Sequence, residues 1–250
     1  ALPMKMSTPP NAAAAAWTLR QPARWAWDGR NGPLAATCLQ SALGGALCAS
    51  ADWPRRGLDL QGDALPLALA SEWLPKREDG RPWAFDGTVD LDARLRPAGS
   101  AWQASVLATS ASGGVRNRAR ARRNLLGYRD LRLEATLDPR RIEATLGAGL
   151  DRDGRVDARI ATGYDAYAPL SGTLVAGTGA LTWLELFSPD MDEPTGRLDV
   201  DLRLGGTLGQ PRLGGNGRLQ RFSAELPALG IALQDGDIGL QALEDGSARI

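Results

Sequence analysis

Histidine is absent from this chain of 250 residues, and much of the usual chemistry of enzyme active sites is excluded with it. No serine or cysteine nucleophile motif is present either, so general acid–base and covalent catalysis have little to work with. Two cysteines alone cannot supply the four ligands of a zinc site. We therefore predict a protein that is not an enzyme and that uses neither a metal nor a cofactor.

Net charge and long apolar runs are also lacking. The 29 basic residues balance the 29 acidic ones, so the chain has no overall field that would attract nucleic acid. No stretch of about 18 consecutive apolar residues occurs, and the sequence therefore contains no candidate membrane-spanning helix. We expect no nucleic-acid partner.

Cysteine is scarce, and the two present are close together. Cys38 and Cys48 flank a Gly-Gly pair that could turn the chain. A disulfide here would close a short loop and stabilise the fold by roughly 2–3 kcal/mol in the chain-entropy model. The alternative is two buried thiols in a reducing compartment, and the spacing favours the bridge.

What the chain has in abundance is alternation. From Arg197 to Leu204 apolar and charged residues alternate without a break, which predicts a strand with one dry face and one wet face. The pattern recurs in 87–95, 131–137 and 142–160, where tight-turn signals predict antiparallel neighbours. We predict an all-β chain with about a dozen one-sided strands.

Two segments depart from the period of two. Residues 65–75 and 180–187 each predict a very short helix, and we expect the second to lie on the dry face. From the residues alone, that face is most simply the core of a closed β-domain. The scarcity of aromatic residues along the strands favours an open trough instead. We expect residues 1–16 to be irregular, and residues 1–250 to form one elongated segment of a larger protein.

Three further features have ordinary interpretations. The alternation of Trp25 and Trp27 predicts a short strand whose aromatics pack in the core at one end of the sheet. The run VRNRARARRN predicts a strand with a ladder of arginines, interpreted as a solvated face or guarded edge. Its members are Arg116, Arg118, Arg120 and Arg122. Asp190, Asp192 and Glu193 lack the spacing of a calcium loop and are interpreted as an acidic surface loop.

Several motifs together resemble a known family. The run GTLGQPRLGG carries the most specific pattern, with Gly206, Thr207, Leu208, Pro211 and Leu213 at its fixed positions. LSGTL at 170–174, LTWLELFSPD at 181–190 and YRDLRLEATLD at 128–138 extend the likeness. From about residue 85 onward the chain resembles the TamB family, and these motifs indicate its C-terminal region. Over residues 1–60 the likeness is thinner.

The resemblance implies an elongated, curved antiparallel sheet, a β-taco, with a hydrophobic concave interior. It also implies a periplasmic segment of a protein that is anchored in the inner membrane of a Gram-negative bacterium. Such proteins are similar to bridge-like lipid carriers. They are expected to move phospholipid to the outer membrane and to support protein secretion with a TamA-like outer-membrane barrel, contacted by parts outside this segment. A disulfide would suit this compartment.

On this basis, inward-facing apolar residues are the candidate site, and phospholipid acyl chains are the expected ligand. The predicted groove lining comprises Val89, Leu91, Leu131, Leu133, Leu146, Ile160, Leu184, Leu198, Val200, Leu202 and Leu204. Two alternatives remain at this point. The sheet edge could accept a client strand, as a scaffold for outer-membrane β-barrel assembly. A dry face closed by its own side chains would instead make a passive spacer.

Overall fold

A single antiparallel sheet makes up nearly all of the fold. The computed structural model describes residues 16–72, 77, 80, 82–117, 121–186, 188, 191–243 and 247–249. Fourteen strands follow one another in chain order, and each is paired with the next. The strands are β1 (Trp17–Leu19), β2 (Gly32–Ser41), β3 (Ala46–Trp53), β4 (Gly57–Pro66), β5 (Ala84–Ala98), β6 (Ala101–Arg116), β7 (Leu126–Leu137), β8 (Ile142–Leu150), β9 (Gly154–Thr162), β10 (Ser171–Thr178), β11 (Asp192–Gly206), β12 (Pro211–Leu226), β13 (Ile231–Ala242) and β14 (Ala248–Arg249).

This architecture confirms the prediction of an all-β chain with antiparallel neighbours. The sheet is open, because no pairing joins β1 to β14 within the described ranges. Among the residues described, three short 3₁₀ helices interrupt the strands, one more than predicted, and two of them lie in the predicted segments. They are η1 (Leu67–Glu72), η2 (Thr182–Leu186) and η3 (Pro227–Leu229). The predicted irregular residues 1–15 lie outside the described part of the chain.

β-Bulges curl the sheet. The register shifts within six strand pairs. Several of these shifts coincide with a residue at positive φ, such as Ala64, Asp130 and Arg221. A bulge bends its strand and increases the local twist, so repeated bulges turn a flat meander into a curled one.

Side chains in the turns fix the hairpins. Asp138 accepts hydrogen bonds from the backbone N–H groups of Arg140 and Arg141, and these bonds lower the pKa of its carboxyl. In the next hairpin Arg152 and Asp153 both have positive φ, as the right-handed twist of paired strands requires in a tight turn. Both hairpins stand where the turn signals predicted them.

The two cysteines form a disulfide. Cys38 and Cys48 are directly opposite each other on β2 and β3, and their sulfur atoms are 2.07 Å apart. The bridge therefore ties one end of the sheet together. Of the two interpretations of this pair, the structure has the bridged one.

The small core lies at one end of the sheet, beneath η2. Leu181 is completely buried and clusters with Phe222 and Ala224. Thr182 donates a hydrogen bond of 2.5 Å to the backbone carbonyl of Leu125, which directly precedes β7. The segment that contains η2 thus reaches from the end of β10 back towards the start of β7.

Two interpretations made from the sequence are wrong. Trp25 and Trp27 form no strand beyond an isolated bridge between Trp25 and Leu34, and they are 71% and 56% exposed rather than buried. The arginine run does not continue as a strand, because β6 ends at Arg116 and Arg122 is exposed in a bend. Arg118 and Arg120 lie outside the described residues. Of the two arginines of the predicted ladder that are described, only Arg116 belongs to a strand.

Truncation of Leu181 tests whether η2 stabilises the fold. We expect Leu181→Ala to lower the free energy of unfolding by about 2–5 kcal/mol, because it leaves a cavity in a fully buried position. Leu229→Ala is the matched control, since Leu229 is 69% exposed. Urea unfolding followed by circular dichroism measures both, and equal effects of the two substitutions would contradict this core.

Glu185 on η2 makes a second prediction, about pH. Burial raises the pKa of Glu185, Asp192 and Glu193 add to the rise, and Arg123 opposes it. Because the folded protein holds this proton more tightly than the unfolded chain, stability falls as the pH rises past the ordinary carboxyl pKa of 4.5. Glu185→Gln should therefore raise the urea midpoint at about pH 7 and leave it unchanged near pH 4. A gain of the same size at both pH values would show that the charge is not responsible.

Candidate functional site

The cross-strand register builds an unbroken apolar row across the sheet. Directly opposite residues in paired strands share a face, so the partners can be followed from strand to strand. One such row crosses β1 to β13 and contains only apolar residues and glycines. Its members are Leu19, Leu39, Leu47, Gly62, Leu91, Ala108, Leu133, Leu146, Ala158, Leu174, Leu202, Gly215 and Ala242. At about 4.8 Å per strand it extends roughly 58 Å.

Parallel rows on either side widen this apolar face. One contains Leu60, Ala93, Val106, Ala135, Ala144, Ile160, Gly172, Leu204 and Leu213. The other contains Ala148, Val156, Ala176, Val200, Gly217 and Leu240. Glycine and alanine are interspersed among the larger apolar residues of these rows. We refer to these rows together as the apolar face.

Ten of the eleven sequence-predicted groove residues fall on this face, and Leu184 does not. Leu91, Leu133, Leu146 and Leu202 belong to the long row, and Ile160, Val200 and Leu204 belong to its neighbours. Val89 is opposite Leu65, Leu131 is opposite Ser110, and Leu198 is opposite Leu219, all with the same orientation. Leu184 belongs to η2 and packs on the core cluster, to which Leu198 and Leu219 also belong.

The apolar face is only partly covered. Most of its leucines and valines are half-buried, and Ile160 is 39% exposed. The long row therefore does not form the interior of a compact globule.

The opposite face is charged and wet. Neighbouring same-face residues pair along single strands, as Arg155 does with Asp157 at 2.5 Å and Arg197 with Asp199 at 2.9 Å. The hydrogen bond from Arg155 lowers the pKa of Asp157, so this carboxylate stays ionised. A cavity of about 890 Å³ lies on this side, with Arg218 among its lining residues. Its charged lining does not suit an acyl chain.

The remaining charged segments form no chemical site in the described part of the chain. Arg116 pairs with Asp86 at 2.6 Å, which ties the end of β6 to β5. Asp192 and Glu193 are exposed at the start of β11, while Asp190 lies outside the described residues. Among those residues no group of three or more metal-ligating side chains comes together, and no helix has the length and apolar character to cross a bilayer.

Sequence reasoning missed part of the apolar face in the first four strands and in β10. Leu39 and Leu47 escaped because the alternation around them is short and is interrupted by the cysteines. Leu174 stood in a motif that was used only for its resemblance. Trp53 at the end of β3 and Trp102 near the start of β6 share the orientation of this face, and their ring centroids are stacked 3.9 Å apart. The face of such a residue is identified by the residue directly opposite it on the neighbouring strand, and a single sequence does not show which residues are opposite each other.

Comparison with known proteins agrees with this architecture. A family model described as TamB, N-terminal domain, matches residues 10–219. The C-terminal placement indicated by the motifs is therefore wrong. No curated protein and no solved structure matches the chain significantly. The match covers most of the sequence, and the chain belongs to the TamB family.

Proposed function

We propose that this chain is a segment of a lipid-carrying protein and that its apolar face holds phospholipid acyl chains. The observation that supports this function is the unbroken apolar row across thirteen strands, left half-exposed along its length. A face of this kind in water needs a cover, and acyl chains are a cover of matching chemistry.

The energetics favour sliding over docking. Each buried CH₂ group gains roughly 0.8 kcal/mol, so the face offsets most of what a lipid loses on leaving a bilayer. The row has no polar residue that would hold a lipid at one position. The head groups remain in solvent, while the tails lie against the leucines of the apolar face.

Membership of the TamB family supports a proposed setting for this activity. The segment works in the periplasm, in a protein anchored to the inner membrane of a Gram-negative bacterium. Phospholipid moves between the two membranes, which supports outer-membrane biogenesis and protein secretion. A TamA-like barrel is the partner, through parts of the protein outside this segment. The role is non-enzymatic and uses no cofactor.

A second candidate function rests on the last long strand. β13 carries exposed apolar residues, including Ile231, Leu233 and Ile238, and pairs with β14 over only two residue pairs. An edge of this kind could accept an extended segment of an outer-membrane β-barrel protein by strand addition. The chain would then act as a scaffold for assembly.

Photocrosslinking from neighbouring residues on opposite faces tests the carrier function. A photoreactive amino acid at Leu202 should yield phospholipid adducts in cells, because this residue lies in the long row. The same group at Arg203, one residue along the strand and on the wet face, should yield none. Leu133 and Glu134 form a second matched pair.

The outcomes separate the two functions. Lipid adducts at both members of a pair, or at neither, would contradict a one-sided carrier. Protein adducts from Ile231 and Leu233, without lipid adducts from Leu202, would favour the scaffold.

A further inference from the structure

The most exposed tryptophans of the described chain lie together at its N-terminal corner. Trp25 is 71% exposed and Trp27 is 56% exposed, and Leu19 on the edge strand β1 is 52% exposed. Tryptophan combines a large apolar ring with a polar N–H group and is favoured where an apolar phase meets water. We call Leu19, Trp25 and Trp27, with Arg20, Arg24 and Arg30 around them, the N-terminal corner.

Backbone hydrogen bonds hold this corner in place. The N–H of Ala26 donates to the carbonyl of Pro33, and the N–H of Ala35 donates to that of Arg24. Asp28 accepts bonds of 2.8 and 2.6 Å from the backbone N–H groups of Arg30 and Asn31. The tryptophans are therefore displayed on an ordered loop that β2 supports along its length.

The corner continues the apolar face. Trp25 is bridged to Leu34, which is opposite Ala51 on β3 and thus belongs to that face. Leu19 is the first member of the long row and is opposite Leu39. Apolar surface consequently runs without interruption from the exposed tryptophans onto the sheet.

The charge of the corner is positive. Three arginines stand against the single carboxylate of Asp28 between residues 16 and 31, which leaves a net charge of +2. The backbone N–H groups of Asn31 and Arg30 lower the pKa of Asp28 to about 2, and this carboxylate is occupied within its own turn. Within the described residues, the Arg24 and Arg30 side chains take part in no ion pair or hydrogen bond. Both guanidinium groups are therefore available to anions outside the chain.

We propose that the N-terminal corner docks on the surface of an anionic phospholipid bilayer. The tryptophan rings enter at the level of the head groups, and the arginines meet their phosphates. Exposed tryptophan rings beside the guanidinium groups of Arg24 and Arg30, which are unpaired among the described residues, match the layered chemistry of an anionic bilayer, in which phosphates lie above acyl chains. A bilayer needs only a few such side chains and has the same chemistry as the apolar face beyond them. If the chain carries lipid as proposed, the N-terminal corner is where lipid passes between the membrane and the sheet.

Vesicle co-sedimentation with the full chain tests the docking. The chain should bind vesicles of phosphatidylethanolamine with phosphatidylglycerol, and bind vesicles of phosphatidylcholine more weakly. Trp25→Ala with Trp27→Ala should weaken binding roughly tenfold, because both rings are lost from the interface. Arg24→Ala with Arg30→Ala should weaken it by about fivefold for each arginine and reduce its dependence on salt.

Two control variants accompany this experiment. Tyr167→Ala removes an aromatic ring that is 88% exposed in a different loop, and it should bind like the wild type. Val175→Ala removes an apolar side chain that is 50% exposed on the wet face, and it should also bind vesicles normally. Photocrosslinking of lipid from Leu202 is measured beside vesicle binding, so that failure of docking and failure of lipid carriage are distinguishable. The Trp27 ring packs closely on Gly32, since a Cβ built at Gly32 would lie 2.8 Å from it, and this ring therefore also supports the loop. For this reason Trp25→Ala is also tested alone, as a docking variant that leaves the support from Trp27 in place.

Three outcomes would overturn the proposal. They are absence of vesicle binding by the wild type, equal binding to both kinds of vesicle, and tryptophan variants that bind like the wild type. Self-association of the wild type that the tryptophan substitutions abolish, measured by light scattering without vesicles, would assign the corner to a second copy of the chain instead.

Discussion

Register between neighbouring strands is the constraint on which this structure depends. A slip of one residue in any strand pair would turn the leucines of that strand from the dry face to the wet face. The observed pairing keeps Leu91, Leu133 and Leu202 in one row although they are far apart in sequence. The bulge in β4 preserves the faces, since Gly62 and Leu65 are three residues apart and are nevertheless opposite Leu91 and Val89, which share one face. The sheet can therefore curl without exchanging its faces.

The second consequence concerns what covers the dry face. Most β-domains cover it with another sheet or with helices. In the described part of this chain the segment around η2 covers one region of this face, where Leu181 is fully buried against Phe222 and Ala224. Elsewhere the leucines remain half-buried, while paired charges such as Arg197 and Asp199 keep the opposite face in water. A sheet built this way has room for a guest on one side only, which is the physical basis of the proposed carrier function.

The period of two was sufficient to predict strands such as β8, β9 and β11, because each has a long unbroken alternation ending at a recognisable turn. The disulfide could also be anticipated from spacing. Trp25 and Trp27 were misassigned because two alternating aromatics are compatible with a buried strand or an exposed loop, and only tertiary contacts decide. The strand predicted for the arginine run was wrong for a similar reason. Alternating charged residues without large apolar residues between them provide no apolar face that would pack in a sheet. The position within the family was also predicted wrongly, since a few short motifs around turns were its only basis, whereas the family match extends over residues 10–219.

Lipid that co-purifies with the chain tests most directly whether the apolar face is occupied by lipid. Organic extraction of the purified protein, followed by mass spectrometry against internal standards, gives the number of phospholipids per chain. Phospholipid should be present with the wild type and with Arg203→Asp, which alters only the wet face. The amount of phospholipid per chain should fall markedly with Leu202→Asp. A wild-type protein that is folded by circular dichroism and free of lipid, or equal lipid in all three proteins, would contradict occupation of the apolar face by lipid.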